Sequence, residues 1–186
     1  IPKQLSVVAI PDPVWGPLAV ALLTLAVGVP AILVGFQPWL LPSLGPTAFL
    51  QAALPAHPMA RLWNVVLGHG GGVVAGFAGV ALFNAWNEPV VLTDHTLTLG
   101  RLGASVVAMA LLMVVGGLLR ASHPPAAATV LLITLGSLRD QSQLIAFAIG
   151  LAILAVVGEL LRRVRLGGMS WGQGRAKKRL EAAQSQ

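Results

Sequence analysis

The chain has no cysteine and little charge. The missing cysteine excludes disulfides, thiolate catalysis and cysteine-based metal sites, and leaves the compartment open. Only 10% of the 186 residues are Asp, Glu, Lys or Arg, against about 25% in an ordinary soluble domain. Long stretches carry no charge at all. Seven of the twelve Lys and Arg (Arg162, Arg163, Arg165, Arg175, Lys177, Lys178, Arg179) fall near the C-terminal end. The net charge of +6 is thus largely a property of the tail, and it does not point to nucleic acid. A basic segment directly behind a hydrophobic span reads as a cytoplasmic anchor drawn to anionic lipid, at about 1 kcal/mol per charge. Also missing are a nucleotide-binding loop, a Ser-His-acid set and a carboxylate pair inside a membrane segment, so neither an enzyme nor a cofactor is expected. The four histidines, His57, His69, His95 and His123, have no metal-ligand spacing, and no metal is expected.

What is present is apolar: 56% of the residues. A membrane crossing needs about 20 apolar residues. Four stretches qualify: Val14 to Gly35 with Pro30 near its end, Val65 to Trp86, Leu102 to Leu119, and Leu144 to Leu161. The first is too long, and too poorly flanked by positive charge, for a cleaved signal peptide. Two further apolar pieces, Leu40 to Leu54 and Pro124 to Leu138, reach only about 22 Å as helices. Both open with helix-start chemistry. Ser43 or Gly45 precedes Pro46, and Ser122 or His123 precedes Pro124 and Pro125; proline is tolerated at a first helical position because its missing N–H would be an orphan anyway.

The two short pieces repeat. Ser43 and Ser122 lie 79 residues apart, as do Gly45 and Pro124, Pro46 and Pro125, Ala48 and Ala127, and Asn64 and Gln143. The expected fold is therefore an all-α integral membrane protein with four full transmembrane helices and two short Pro-started membrane helices in an internal two-fold repeat. The boundaries are an N-terminal segment at 1–13, a membrane domain at 14–165 with halves at about 14–86 and 97–161, and a basic cytoplasmic tail at 166–186. If the short helices turn back, Arg61, Arg120 and Arg139 lie outside and Arg101 inside. If they cross, Arg61 and Arg120 lie inside, while Arg101, Arg139, Glu88 and Asp94 lie outside. Short length favours the first and the Lys and Arg count the second.

Three constellations carry chemistry. In Arg120-Ala121-Ser122-His123-Pro124-Pro125-Ala126 a helix start presents unpaired N–H groups and the positive end of the dipole, a seat for an anion. Arg120 adds charge, Ser122 a hydroxyl and His123 a donor that depends on protonation. The bland alternative is a proline-capped turn with Arg120 at the lipid headgroups. Ser43-Leu44-Gly45-Pro46-Thr47-Ala48 follows the same logic, and two such helix starts facing each other would suit a small monovalent anion. In the second span, Gly68, Gly72 and Gly76 recur every four residues and make a smooth packing face. His69 beside them is an ionisable group inside a membrane helix, a functional position by default.

At Ser122-His123-Pro124-Pro125-Ala126-Ala127-Ala128-Thr129 the chain resembles the HPP family of integral membrane proteins, named for that His-Pro-Pro. Leu44-Gly45-Pro46-Thr47-Ala48 is similar to the family's Gly-Pro-Ser-Ala segment, and Asn64-Val65-Val66-Leu67-Gly68-His69 to its Asn-Val-x-Gly-Gly-His segment. The resemblance runs from about Pro13 to Arg165. It implies four transmembrane helices and, from members of chloroplasts and cyanobacteria, an association with nitrite transport. Two positions depart from the pattern. Trp63 stands where the family commonly has Arg, with Arg61 two residues earlier, and Leu67 stands where it has Gly.

The expectation is a channel or secondary transporter for nitrite or a similar small anion in a bacterial inner membrane, C-terminus cytoplasmic, in contact with lipid and self-associating. Its substrate-binding residues are Ser43, Gly45, Pro46, Thr47, Ala48, Asn64, His69, Arg120, Ser122, His123, Pro124, Pro125 and Ala126. The alternatives are a membrane scaffold or sensor subunit, and a histidine-dependent membrane enzyme.

Overall fold

The computed structural model describes residues 10–35 and 42–167. The start of the N-terminal segment, the opening of the first short piece at Leu40 and nearly all of the basic tail lie outside the described residues. Seven helices follow in order: α1 (Asp12–Val34), α2 (Leu44–Ala53), α3 (Leu62–Leu82), α4 (Val91–Asp94), α5 (Leu99–Leu118), α6 (Ala126–Thr134) and α7 (Gln141–Arg165). No strand occurs among the described residues. The four long helices, α1, α3, α5 and α7, are long and apolar enough to cross a membrane. The two short ones carry 10 and 9 residues, about 15 Å each. Long, short, long is the order in both halves.

Local chemistry sets the ends. Asp12 and Pro13 open α1, and Gly35 closes it in the left-handed region at φ 64°. The Thr98 hydroxyl accepts from the Arg101 amide to cap α5, and Asp140 with Gln143 forms a capping box on α7. Along α1, Trp15, Ala19, Leu23 and Val27 fall every four residues on the buried face. Leu18, Leu22, Leu25, Ile32 and Leu33 point outward, where lipid would meet them. Trp15 is buried, and the Arg165 guanidinium lies over its ring at 5.1 Å.

Contacts at the two ends of the bundle fix the direction of every segment. At one end Arg165 bonds to Asp12 and, at 2.6 Å, to the carbonyl of Ile10. Arg61, Arg120, Glu159, Arg162 and Arg163 share a cleft there. This end therefore holds the start of α1, the end of α2, the start of α3 and the ends of α5 and α7. At the other end Arg101 of α5 donates to the carbonyls of Glu88 (2.8 Å), Pro89 (3.2 Å) and Thr134 (3.1 Å). The Val91 amide donates to Leu135. The stretches containing α2 and α6 thus run from one end to the other. The chain traverses the bundle six times, and each half makes three passes, so the second half is inverted relative to the first. The short helices lie in segments that cross rather than turn back.

The halves also exchange partners. α3 of the first half packs on α5 and α6, and α7 of the second packs on α1 and α2. The glycine face of α3 is consumed in this exchange. A Cβ on Gly72 would lie 3.0 Å from the carbonyl of Ala126, and one on Gly76 would lie 3.0 Å from Ile133. The smooth face that Gly72 and Gly76 present is thus occupied by the chain's own α6.

Two outcomes are expected. The chain is free of cysteine, so single cysteines report sidedness without background: Ala56→Cys and Thr96→Cys, both exposed, react with an impermeant thiol reagent from opposite faces of the membrane. Labelling from the same face would contradict six traversals. Arg101→Ala removes a buried charged donor from three carbonyls and lowers unfolding stability by about 3–5 kcal/mol, read by thermal melting in detergent.

Candidate functional site

The centre of the bundle holds a polar cluster that the apolar surroundings make conspicuous. Thr47 comes from α2, His69 from α3, Thr129 from α6, and His123 from the turn before α6. All four are buried, with exposures of 0%, 0%, 0% and 4%. Each short helix contributes because it stops partway: α2 starts at mid-depth and runs toward the arginine end, while α6 starts there and runs the opposite way. Their N-terminal turns overlap at the level of His69.

Glycine makes the overlap possible. A Cβ on Gly68 would run into the Cβ of His123, so the histidine backbone lies directly against α3. The imidazole then reaches across to α2. The two rings stand with centroids 5.0 Å apart, and Phe147 of α7 packs edge-on to His69 at 5.8 Å.

Four hydrogen bonds join the cluster: Thr129 Oγ1 to His69 Nδ1 (2.7 Å), His69 Nε2 to Thr47 Oγ1 (2.8 Å), Thr47 Oγ1 to His123 Nε2 (3.0 Å), and His123 Nδ1 to the carbonyl of Met59 (2.9 Å). The last bond fixes the direction of the rest. A carbonyl only accepts, so His123 Nδ1 carries the proton. With the rings neutral, His123 Nε2 must accept, and the single proton of Thr47 is donated to it. Thr47 then accepts from His69 Nε2, which leaves His69 Nδ1 to accept from Thr129. Every proton in the chain is committed.

A basic cleft of about 670 Å³ opens at the arginine end. Glu159 in it is held by Arg162 through two bonds of 2.8 Å and by Arg163 through one. Arg61 and Arg120 line the same cleft with no carboxylate partner among the described residues, so the cleft carries surplus positive charge. Arg61 thus reaches the space beside Trp63, the position where the family pattern has Arg. Asn64 also borders it, but its Nδ2 is spent on the carbonyl of Pro58 at 2.9 Å and holds the turn before α3.

The rest of the expected set is distributed differently. Gly45, Pro46 and Pro124 are exposed, and Pro46, Pro124 and Pro125 line a carbon-rich surface groove of about 550 Å³ between the short helices. Ser122 is exposed on the α5 side. Ala48 and Ala126 are buried packing positions. Ser43 is fully buried. The bare amides expected at the start of α6 are corrected: those of Ala126, Ala127 and Ala128 donate to the carbonyls of His123, Pro124 and Pro125. A tight first turn satisfies them locally, as a helix end in an apolar setting requires. Neither Ser43 nor Ser122 caps a short helix by its side chain. No group of three His, Asp or Glu among the described residues is arranged to hold a metal.

Sequence reasoning missed Thr129, the carbonyl of Met59, and Gln51, a buried amide one turn beyond Thr47 on α2. A signal existed for Gln51: it is the only amide, acid or base between Trp39 and His57.

Gly68→Ala gives the sign of this packing. Alanine in a helix interior is ordinarily worth about 0.5–1 kcal/mol over glycine. Here the melting temperature falls instead, because His123 is displaced; a rise would show that the ring is not seated on α3.

No curated protein and no solved structure matches the chain. The family model described as "HPP, transmembrane region" matches residues 6–169, a span that takes in both Pro-started helices, the glycine row and all four residues of the histidine–threonine cluster. The chain belongs to the HPP transmembrane family.

Proposed function

We propose that this protein is not an enzyme but carries a small monovalent anion across the membrane, with nitrite the first candidate, and that Thr47, His69 and His123 handle the ion at mid-depth. The observation that carries the reading is the buried histidine–threonine chain where the two half-helices overlap, with an arginine-lined cleft at one end of the bundle. Arg61 and Arg120, without a carboxylate partner among the described residues, draw anions toward the bundle. The nitrite assignment comes from the family resemblance.

The committed protons supply a mechanism. In the neutral chain no hydroxyl or ring N–H is free to bind an anion. Protonation of His123 on Nε2 turns that nitrogen into a donor to Thr47. The Thr47 hydroxyl proton is released and turns toward the ion, and the ring gains a full positive charge. Proton and anion therefore arrive together. The other groups packed against the pair, Thr129, Phe147 and the Met59 carbonyl, carry no charge.

Orientation and assembly belong to the same proposal. Arg61, Arg120, Arg162, Arg163 and Arg165 gather at the end that precedes the basic tail, against Arg101 and Arg139 at the other. That asymmetry favours a cytoplasmic arginine end in a bacterial inner membrane. Self-association, with the glycine face consumed, falls to surfaces such as the groove beside the exposed Phe49.

Flux in proteoliposomes tests this. The wild-type protein takes up nitrite, and His123→Phe lowers the rate about tenfold or more, the equivalent of about 1.4 kcal/mol at the binding step. Uptake rises as pH falls, because only the protonated imidazole frees the Thr47 hydroxyl for the ion. A flat profile would remove the proton coupling. No flux of nitrite, nitrate, formate or chloride would remove the anion reading altogether.

A further inference from the structure

Three side chains on one face of α2 are polar: Ser43, Thr47 and Gln51, four residues apart. That spacing places them in a row, one turn (about 6 Å) between neighbours. All are buried, at 0%, 0% and 3% exposure. Thr47 has its partners. Ser43 Oγ and both Gln51 amide atoms, Oε1 and Nε2, have none among the described residues. A buried polar group without a partner costs about 1–3 kcal/mol, and a leucine at position 51 would fill the space at no such cost. The surroundings are shaped to keep the amide. Gly158 of α7 faces it, and a Cβ there would overlap Gln51 Oε1 and Cδ. Gly158 is followed by Glu159, a wall of the arginine cleft. Gln51 is therefore placed between the cleft and the histidine pair, and Ser43 lies one turn beyond Thr47 on the far side.

We infer that Gln51 is a ligand-contacting residue of the path, its Nε2 donating to the anion between the arginine cleft and His123, with Ser43 as the next donor beyond Thr47. The inference rests on the anion reading and assigns the steps on either side of the histidine pair. A neutral amide suits such a step. It donates to an anion strongly enough to replace water and, unlike an arginine, does not hold the ion by charge. Gly158 serves as a positioning residue: it leaves the room that lets the amide stay in the row unpaired.

The experiment compares Gln51→Leu with the wild type in two readouts, nitrite flux per folded protein in vesicles and melting temperature in detergent. Flux about tenfold lower with an unchanged or raised melting temperature is the expected result, because the substitution removes two unpaired buried atoms while deleting the contact. Flux within twofold of wild type overturns the inference, and so does a loss of flux that only accompanies a lower melting temperature, since the amide would then be structural. Gln51→Met, unbranched and of similar length, decides by the same criteria if the leucine variant does not fold. Gly158→Ala and Ser43→Ala each lower flux in the folded protein; undiminished flux in both would also overturn it. Absence of flux of nitrite, nitrate, formate and chloride alike in the wild type would remove the anion reading and this inference with it, whereas wild-type flux that survives in Gln51→Leu removes the inference alone.

Discussion

One hydroxyl joins the two halves of the molecule at the depth where no bulk water is at hand. Thr47 accepts from His69 and donates to His123, and among the described residues no other hydrogen-bonding group joins both rings. Without it two buried ring nitrogens would lose their partner, at about 1–3 kcal/mol each. The demand for hydrogen-bond satisfaction in an apolar setting therefore dictates where both half-helices stop, how closely α6 approaches α3, and which tautomer each histidine adopts.

The same demand explains the rest of the architecture. A full-length helix satisfies its own backbone, but a half-helix leaves ends inside the bundle. At the start of α6 the turn carbonyls of residues 123–125 take up the first amides. At its end Arg101 reaches from α5 to the carbonyl of Thr134, while Gly136 at φ 87° makes room for the guanidinium. The arginine is bound to backbone rather than to solvent, so it acts as a cap supplied from a neighbouring helix. The exchange of partners between halves follows as well: α6 is too short to bury its flank within its own half, and the glycine row of α3 offers the closest approach.

The sequence displayed most of this, with instructive gaps. Length and hydropathy located all four spans, and the prolines located both short helices, because proline is tolerated at a helix start and little else in an apolar run imitates that signal. The inverted, six-traversal course is one of two open readings; only contacts between residues far apart in sequence, such as Arg61 and Arg120 beside Arg162 and Arg163 in one cleft, decide it. The helix starts were read as bare amides. That inference used capping side chains alone and overlooked that a tight first turn satisfies amides with nearby carbonyls. His69 and His123 were singled out for the cost of an ionisable group in a membrane, and the same argument applied to Arg101 would have placed it inside. Gln51 escaped notice because an isolated glutamine in a short helix reads as an exposed position until burial is known.

Charge and neutrality are separated along the molecule, and this bears on how an ion would both enter and leave. Fixed positive charge collects at the cleft, where Arg61 and Arg120 have no carboxylate partner among the described residues, while the mid-depth groups are hydroxyls, an amide and two imidazoles. A permanent cation at mid-depth in a low dielectric would hold a monovalent anion so tightly that release became the slow step. An imidazole avoids this. It is charged only while its proton is present, so on the proposed function the attraction that admits the anion disappears when the proton leaves, and the Thr47 hydroxyl returns to His123 and closes the chain. The neutral resting network is then the reason a small anion would not leak: without the proton neither Thr47 nor either imidazole has a donor free to replace the ion's water.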